Sequence, residues 1–596
     1  MANAPAEVCA QPSVQLRTRA IAPVIRSRFL LATLGLWAAL ISSLPARAQQ
    51  ASPGYDPRQT EKRFEDRQTD QAPGARPRLP RSPFARPEGK VDTKPLFLLR
   101  HVSITGAAAI PRDRLVTAYQ PYLGKKVSQA DLADMASAVS DIYRAAGFHL
   151  SRAIVPVQDI KDGALRLQVI EGSITELALK GDGAEQFGVR AMLDVVVRER
   201  PARLATLERQ LLLVNGRPGV RILDTGLEEI GTASGRFRLI VELKTWHLYM
   251  SFGVDNQGSA AVGPWQSYGT AAFNSYIAPG DSLVANISTT PGDVRQLAFG
   301  RLSYEVPVGT DGGRIGASGF YSEVWPGDFR RLDSDNTKTQ SFEFHGSIVP
   351  LQSQKSTLTL TAGIGFSNVR EQDMFGPIYN DHIRTATLTS DYRLQDNFGG
   401  TNYLTLLYRQ GLSILGASHR DDDFLSHDDA SGRFSALNFW YTRYQTLNDS
   451  FSVKLSGAGQ WASGLFTSQQ FYLGGMAFGR GYGGAAISGD NGIAGSFELR
   501  FDQKLNFRYW SSVQLYSFVD AGAAWNAGYT MNEGLSLTSA GGGVRFFLFD
   551  DWQADIGVAV PLSYRAPDNS SRTARLLFSL SSAFKLCPTR VTTRCL

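Results

Sequence analysis

Between residues 246 and 584 the chain shows no helical period. It runs instead as about sixteen stretches of roughly ten residues, about 22 residues for each stretch with its connection, apolar at every second position and broken by turn residues. Leu358, Leu360, Ala362, Ile364 and Phe366 alternate with Thr359, Thr361, Gly363 and Gly365. Leu404, Leu406 and Tyr408 alternate with Tyr403, Thr405 and Arg409, and Ala574, Leu576, Phe578, Leu580 and Phe584 with Arg575, Ser579, Ser581 and Ala583. A period of two gives each strand one greasy and one wet face. In lipid every backbone N–H and C=O needs a partner, and an open sheet edge has none. The pattern therefore predicts an antiparallel barrel closed on itself, apolar outside and polar inside. Trp246, Tyr276, Trp325, Trp525 and Trp552 fall at strand ends, as interfacial aromatic girdles require. A soluble β-sandwich is the alternative.

Composition agrees with a barrel more than with a soluble enzyme of 596 residues: charge is low at 19%, aromatics are 11%, and 58 residues are glycine. The net charge of +6 is small for this length and gives no reason to expect a nucleic-acid partner. Arg26 and Arg28 precede an apolar run, 29–44, which ends in Ala46-Arg47-Ala48. Residues 1–48 are thus expected to be a secretory signal; a membrane anchor is the alternative, and the apolar run is short for one. After Gln49 no stretch approaches ~18–20 continuous apolar residues, so no spanning helix is expected. Cys587 and Cys595 remain in the exported chain, where they could close a small disulfide loop or stay as two thiols. No metal site and no cofactor is expected.

Residues 49–94 are rich in Pro, Arg, Asp and Gln. Within them 56–71 is charged all round and reads as a solvated helix or as disorder, and 73–95 as an extended linker. Residues 95–172 read β-α-α-β-β, with strands at 98–105, 152–157 and 165–170 and helices at 111–123 and from Ser128 onward. Ser128 with Asp131 makes a capping-box-like start, Leu132, Met135, Val139, Ile142 and Ala146 make one apolar face, and Gly147 ends the helix. Residues 173–244 repeat that order, with strands at 174–179 and 222–227, helices at 189–197 and 204–214, and a last strand through Phe237, Leu239 and Val241. Two successive modules of about 75 residues with one element order are an internal repeat.

Inside the barrel region lies Phe471-Tyr-Leu-Gly-Gly-Met-Ala-Phe-Gly-Arg-Gly-Tyr482, a glycine-rich loop with one arginine. Next comes a strand in which Ala494, Ser496, Glu498, Arg500 and Asp502 share the wet face. The following strand places Gln514, Tyr516, Phe518, Asp520 and Gly522 inward. A loop over 471–492 folded into the lumen would bring Arg480 to Asp520. In a wet lumen that pair is worth ~0–1 kcal/mol, and more only where the loop excludes water. Arg500 and Arg545 are the other lumen arginines against which Arg480 must be weighed.

These residues resemble the transporters of two-partner secretion, within the superfamily of outer-membrane assembly and translocation pores. The resemblance spans roughly residues 96–584. The two repeats resemble POTRA (polypeptide-transport-associated) modules, 95–172 and 173–244, the run 207–220 being typical of the second. Gly479-Arg480-Gly481-Tyr482, preceded by Leu473-Gly474-Gly475, resembles the superfamily's Val-Arg-Gly-Tyr/Phe loop, with Gly479 in place of the branched residue. Phe518, Asp520 and Gly522 match its Phe-x-Asp-x-Gly strand signature. The resemblance implies α+β periplasmic modules followed by an all-β barrel over 245–584 with Phe584 near its terminal aromatic position, a tail at 585–596, pairing of Arg480 with Asp520, and a pore-plugging helix at 56–71. It implies a protein of the Gram-negative outer membrane that exports a large unfolded exoprotein, an adhesin or haemolysin bearing an N-terminal secretion domain, with outer-membrane lipid as its other partner and no nucleotide. Insertion of outer-membrane proteins is the alternative function, and two modules favour secretion.

No catalytic residues are expected. Gly280-Asp281-Ser282-Leu283 reads as an esterase motif, but none of the seven histidines has an aspartate three residues before it, and Pro279-Gly280-Asp281 suits a hairpin turn. Asp421–423 with Asp428 and Asp429 reads as a solvated loop before a cation site.

Overall fold

The computed structural model describes residues 92–507, 510–549, 551–563 and 573–586, together with Thr60, Pro77, Leu79 and Pro80. The expected signal peptide, the stretch 56–71 apart from Thr60, and Cys587 and Cys595 lie outside the described residues.

The first module holds β1 (Pro95–Leu98), β2 (His101–Thr105), α1 (Arg112–Val116), β3 (Lys126–Ser128), α2 (Gln129–Ala145), β4 (Arg152–Ile154) and β5 (Ala164–Ile170). Its main sheet has the order β2-β5-β4, with β2 and β5 parallel, while β1 pairs with β3. Ser128 caps α2 in a complete capping box: its side chain accepts from the Asp131 N–H, and Asp131 accepts from the Ser128 N–H at 2.7 Å. Met135, Val139 and Tyr143 of α2 pack with Leu165, Leu167 and Val169 of β5 in one buried cluster.

The second module holds β6 (Ser173–Lys180), α3 (Val189–Arg198), α4 (Leu204–Asn215), β7 (Val220–Glu229) and β8 (Arg236–Thr245), with sheet order β6-β8-β7. It repeats the β-α-α-β-β core of the first, which adds the small β1-β3 sheet: the strand expected over 98–105 is split into β1 and β2, and β3 precedes α2. Leu193, Val196, Leu207 and Leu211 from the helices meet Phe237, Leu239 and Val241 from β8 in its core. Leu150 of the first module joins that cluster, and Arg152 bonds both carboxylate oxygens of Glu229 at 3.0 Å, so the two modules share an interface.

The remaining strands are β9 (Leu248–Asp255), β10 (Gln266–Asn274), β11 (Ser282–Thr289), β12 (Ala298–Val308), β13 (Gly313–Val324), β14 (Asn336–Gln352), β15 (Ser356–Asp373), β16 (Gly376–Gln395), β17 (Gly400–Gly411), β18 (Ser435–Thr446), β19 (Phe451–Ala462), β20 (Phe471–Leu473), β21 (Ile487–Gly489), β22 (Asn491–Phe507), β23 (Trp510–Trp525), β24 (Leu535–Leu548), β25 (Trp552–Pro561) and β26 (Arg575–Leu586). Sixteen of them close into one antiparallel barrel, and only β20 and β21 stand apart as a hairpin of their own. The seam joins β26 to β9, from Ser579 opposite Asp255 to Leu586 opposite Leu248.

The alternation read from the sequence sorts the wall. Leu302, Ile315, Phe344, Leu388, Leu515, Val519 and Leu576 are exposed on the outside, whereas Arg409, Asn438, Gln460, Glu498, Gln514 and Asp520 are buried within. Phe252 stacks on Phe584 at 5.6 Å and meets Trp552 edge-on at 5.5 Å, an aromatic group at the module end of the barrel. No helix among the described residues is long and apolar enough to cross a membrane.

Candidate functional site: an arginine loop held inside the barrel

The chain between β19 and β22 turns into the barrel. Three pairs join β20 to β21, from Phe471 opposite Gly489 to Leu473 opposite Ile487. Below that hairpin, Leu473, Phe478, Tyr482 and Ile487 are buried against Ala458, Ala494, Ala524 and Leu537 of the wall. Small residues on β19, β22 and β23 make the room that the loop fills.

The loop presents Arg480 to β22 and β23. Its Nε and Nη2 donate to the two oxygens of Asp520 at 3.0 and 2.8 Å, its Nη2 also to the Ser496 hydroxyl at 3.0 Å, and its Nη1 to Glu498 at 2.6 Å. The guanidinium carbon lies 3.5 Å from the centre of the Phe518 ring. Asp520 also accepts from the backbone N–H of Gly479 at 3.2 Å and of Arg480 at 3.0 Å, and from Ser496 Oγ at 2.8 Å. The structure thus brings together Gly479, Arg480, Phe518 and Asp520. Register explains it: Ser496 faces Asp520 and Glu498 faces Phe518 across the β22–β23 ladder, so one wet patch carries every partner.

Gly479 and Gly522 act by shape. Gly479 has φ +96°, a conformation in which a side chain is strained, and a Cβ there would stand 2.7 Å from Leu537 Cδ1. A Cβ on Gly522 would lie 2.8 Å from Leu473 Cδ1, so this inward glycine is the floor on which the loop rests. Tyr482 donates its hydroxyl to the Thr538 carbonyl at 3.0 Å, and its own carbonyl accepts from Arg575, which ties the loop to β24 and β26.

Of the two cases set out for this pair, wet lumen or water excluded by the loop, the structure has the second. Asp520 is 0% exposed and the Arg480 side chain 10%, because the loop's apolar residues exclude water from the pair. Breaking such a pair costs about 3–5 kcal/mol, not the fraction of one that a solvated pair is worth. Arg500 and Arg545 prove not to be separate lumen arginines. Both bond Glu498 Oε1 at 2.8 Å, and Arg545 Nε reaches Asp555 at 2.8 Å. Three guanidiniums and three carboxylates form one network with Glu498 as its hub. Glu498 had a signal in the sequence, its place on the wet face of β22; its role as hub depends on register between strands, which the period alone does not give.

The remaining candidates have structural duties. Asp281 accepts from the backbone N–H groups of Tyr276, Ile277 and Ala278 at 3.1, 3.0 and 2.8 Å, closing the turn between β10 and β11. The Ser282 hydroxyl donates to Asn274 at 3.1 Å. In the acidic loop, Asp429 pairs with Arg420 at 2.8 Å and Asp422 accepts from the His419 N–H at 2.7 Å.

Helix-and-sheet modules ahead of a closed barrel, with an arginine loop pinned inside it, define the architecture of the outer-membrane assembly and translocation pores. Residues 239–546 match the family described as haemolysin secretion/activation protein ShlB/FhaC/HecB, and residues 97–172 match the POTRA domain, ShlB-type. The chain belongs to that secretion/activation family. Similar relatives include the heme/hemopexin transporter protein HuxB of Haemophilus influenzae, 24% identical over 393 residues, which are 64% of this chain and 67% of HuxB. The outer membrane transporter CdiB-2 of Burkholderia pseudomallei is 23% identical over 594 residues, 91% of this chain and 98% of that protein. The solved structure of CdiB from Escherichia coli superposes with a TM-score of 0.67 at 17% identity, over 95% of this chain and 100% of CdiB, a likeness of fold. The chain is thus an outer-membrane transporter of the two-partner secretion kind, exporting a partner exoprotein, with its POTRA modules in the periplasm and the opposite end of the barrel at the cell surface.

Proposed function

We propose that the cargo is a large adhesin- or haemolysin-type protein that reaches the periplasm unfolded, is caught through its N-terminal secretion domain as an added strand on a POTRA sheet, and threads through the lumen past the Arg480 loop. The edge for capture is β7, whose one strand neighbour is β8 and whose ten residues leave Leu223 exposed. Folding at the cell surface, without a nucleotide, supplies direction. The chain acts by binding and passage rather than by catalysis, and its other partner is outer-membrane lipid around the apolar wall. The stretch 56–71 plugs the lumen at rest; Thr60, its one described residue, is helical and buried within a segment charged all round, and a polar lumen is the container that suits such a helix.

The observation that carries this reading is the Arg480–Asp520 pair inside a closed barrel below POTRA modules. Arg480→Ala removes the guanidinium and leaves Asp520 buried with backbone and hydroxyl donors only. A loss of about 3–5 kcal/mol at the tip is expected to abolish export while the barrel still inserts and keeps its heat-modifiable gel migration. Assay of the exoprotein in the medium beside the transporter in outer-membrane fractions checks this, and normal export by the variant would refute the assigned role.

A further inference from the structure

The inserted loop is fastened a second time, at its stem, by residues that belong to neither signature. Arg409 on β17 is 7% exposed. Its Nη1 donates to Gln469 Oε1 at 2.5 Å; its Nη2 donates to Asn438 Oδ1 at 3.2 Å, Gln460 Oε1 at 3.0 Å and the Gln469 carbonyl at 3.3 Å. Gln460 Nε2 in turn donates to the carbonyls of Gln469 at 3.2 Å and Asp490 at 2.9 Å. Asp490, 1% exposed, accepts from the Leu465 N–H at 3.1 Å and Gln470 Nε2 at 3.4 Å on one oxygen, and from the Ala527 N–H at 2.9 Å on the other. Both limbs of the loop, the one entering at 469–470 and the one leaving at 490, are therefore tied to β17, β18 and β19 and to the turn after β23.

Stem and tip are joined by glycine. Gly474 and Gly475 have φ +109° and +86°, and Gly483-Gly484 lies on the returning limb. The limbs touch there backbone to backbone, since a Cβ on Gly474 would lie 2.2 Å from the Gly483 carbonyl oxygen. Rotation at such residues is cheap, so the tip can swing while the β20–β21 hairpin and the stem stay in place. The chemistry differs as well: the tip is held by ion pairs and an aromatic face, the stem by amides around one guanidinium and one carboxylate. Among the described residues the two fastenings share no hydrogen-bond partner, and separate fastenings act independently.

We propose that Arg409 and Asp490 are positioning residues that keep the loop inside the barrel, whereas Arg480 and Asp520 set where its tip rests. The stem then determines whether the loop itself obstructs the lumen, separately from the segment 56–71, and the tip how cargo passes it; the second clause rests on the export reading above, the first does not.

The test uses full-length transporter in which Cys587 and Cys595 are serine and Met476, at the exposed side of the tip, is cysteine. Labelling by a membrane-impermeant maleimide and single-channel conductance in planar bilayers are measured without cargo, and export is measured in cells. The pair Arg409→Met and Asp490→Asn is expected to raise the labelling rate and the open-channel fraction about tenfold or more, the scale set by losing buried charged hydrogen bonds. Arg480→Ala is expected to stop export with the open-channel fraction unchanged. Arg409→Lys, which keeps the charge but not the fork, falls between wild type and Arg409→Met. If the paired variant does not assemble, Gln469→Leu removes the loop's own side of the clamp and is read the same way. Wild-type labelling and conductance in the clamp variants, or equal opening by Arg480→Ala alone, would overturn the proposal. Normal export by Arg480→Ala with a correctly behaving clamp would count against the export reading instead.

Discussion

Gly522 shows how much one absent side chain contributes. It is the inward residue of β23 next above Asp520, and the loop's Leu473 occupies the space a Cβ would need. Gly522→Val is therefore expected to displace Leu473, at an overpacking cost of about 1–3 kcal/mol, and to pull Arg480 off Asp520 without touching either charge. Export falling as far as in Arg480→Ala, with normal barrel yield, is the outcome to look for; full export would mean the loop tolerates the shift. At this scale the sequence was informative but incomplete. Period two placed Ser496, Glu498 and Asp520 inward, and the glycine-rich loop singled out Arg480. It could not show that Arg500, Arg545 and Asp555 join the same network, because that depends on which residues of β22 to β25 stand opposite one another. Arg409 and Asp490 escaped notice for a related reason. One sits on a strand among other polar residues and the other just before one, and neither lies in a recognisable motif.

Helices and strands were read well in kind and less well in extent, and proline explains most of the differences. The helix expected over 111–123 stops at Val116, and a separate 3-10 turn, Gln120–Tyr122, contains Pro121. A residue before proline avoids the α region, so the helix cannot run through Gln120. The strand expected to reach 157 ends at Ile154, short of Pro156, which has no N–H for the ladder. The α2 start, by contrast, is where Ser128 and Asp131 put it. Ser128→Ala should cost about 1 kcal/mol, seen as a lower unfolding midpoint of the first module with the barrel unaffected. The Ser128 hydrogen bonds hold the Asp131 carboxyl below its usual range. Their stabilisation is present above the ordinary carboxylate value of about 3.9 and is lost as pH falls through the lowered one. The external connection before β14 works the other way. Burial, with Glu371, Asp373 and Asp333 nearby and Arg330 opposing them, pushes Asp335 up to about 6. A raised carboxyl favours the packed loop at low pH, and that contribution fades as pH rises from about 4 through about 6. Protease sensitivity of the 325–335 connection should accordingly rise over that window, and Asp335→Asn should flatten the profile.

Across the whole molecule, the second module is docked on the barrel through α4. Arg209 bonds Asp311 at 2.6 Å and the Val349 carbonyl at 2.6 Å, and the Gln354 N–H donates to Glu208. Asp311 is mostly exposed, so that ion pair is worth only ~0–1 kcal/mol. The apolar contact outweighs it: Leu213 is buried and crowds Gly312, and Val349 packs against the module's core. Arg217 adds a half-buried guanidinium that donates to the Phe187 and Gly188 carbonyls and lies against Gly280; desolvation and Arg314 push its pKa down to about 10. Leu213→Asp is expected to loosen the module and cut export sharply, whereas Arg209→Ala changes little; limited proteolysis between 204 and 250 separates the two. This docking was not legible in the sequence, because α4 shows one apolar face and the core of its own module already accounts for it.

The seam between β9 and β26 carries a further consequence. The first wall strand in the chain is partnered by the last, so a partly formed wall has two raw margins until that pairing is made. Completion is a single late event, and any escort that shelters this chain must hold both margins until residues 575–586 arrive.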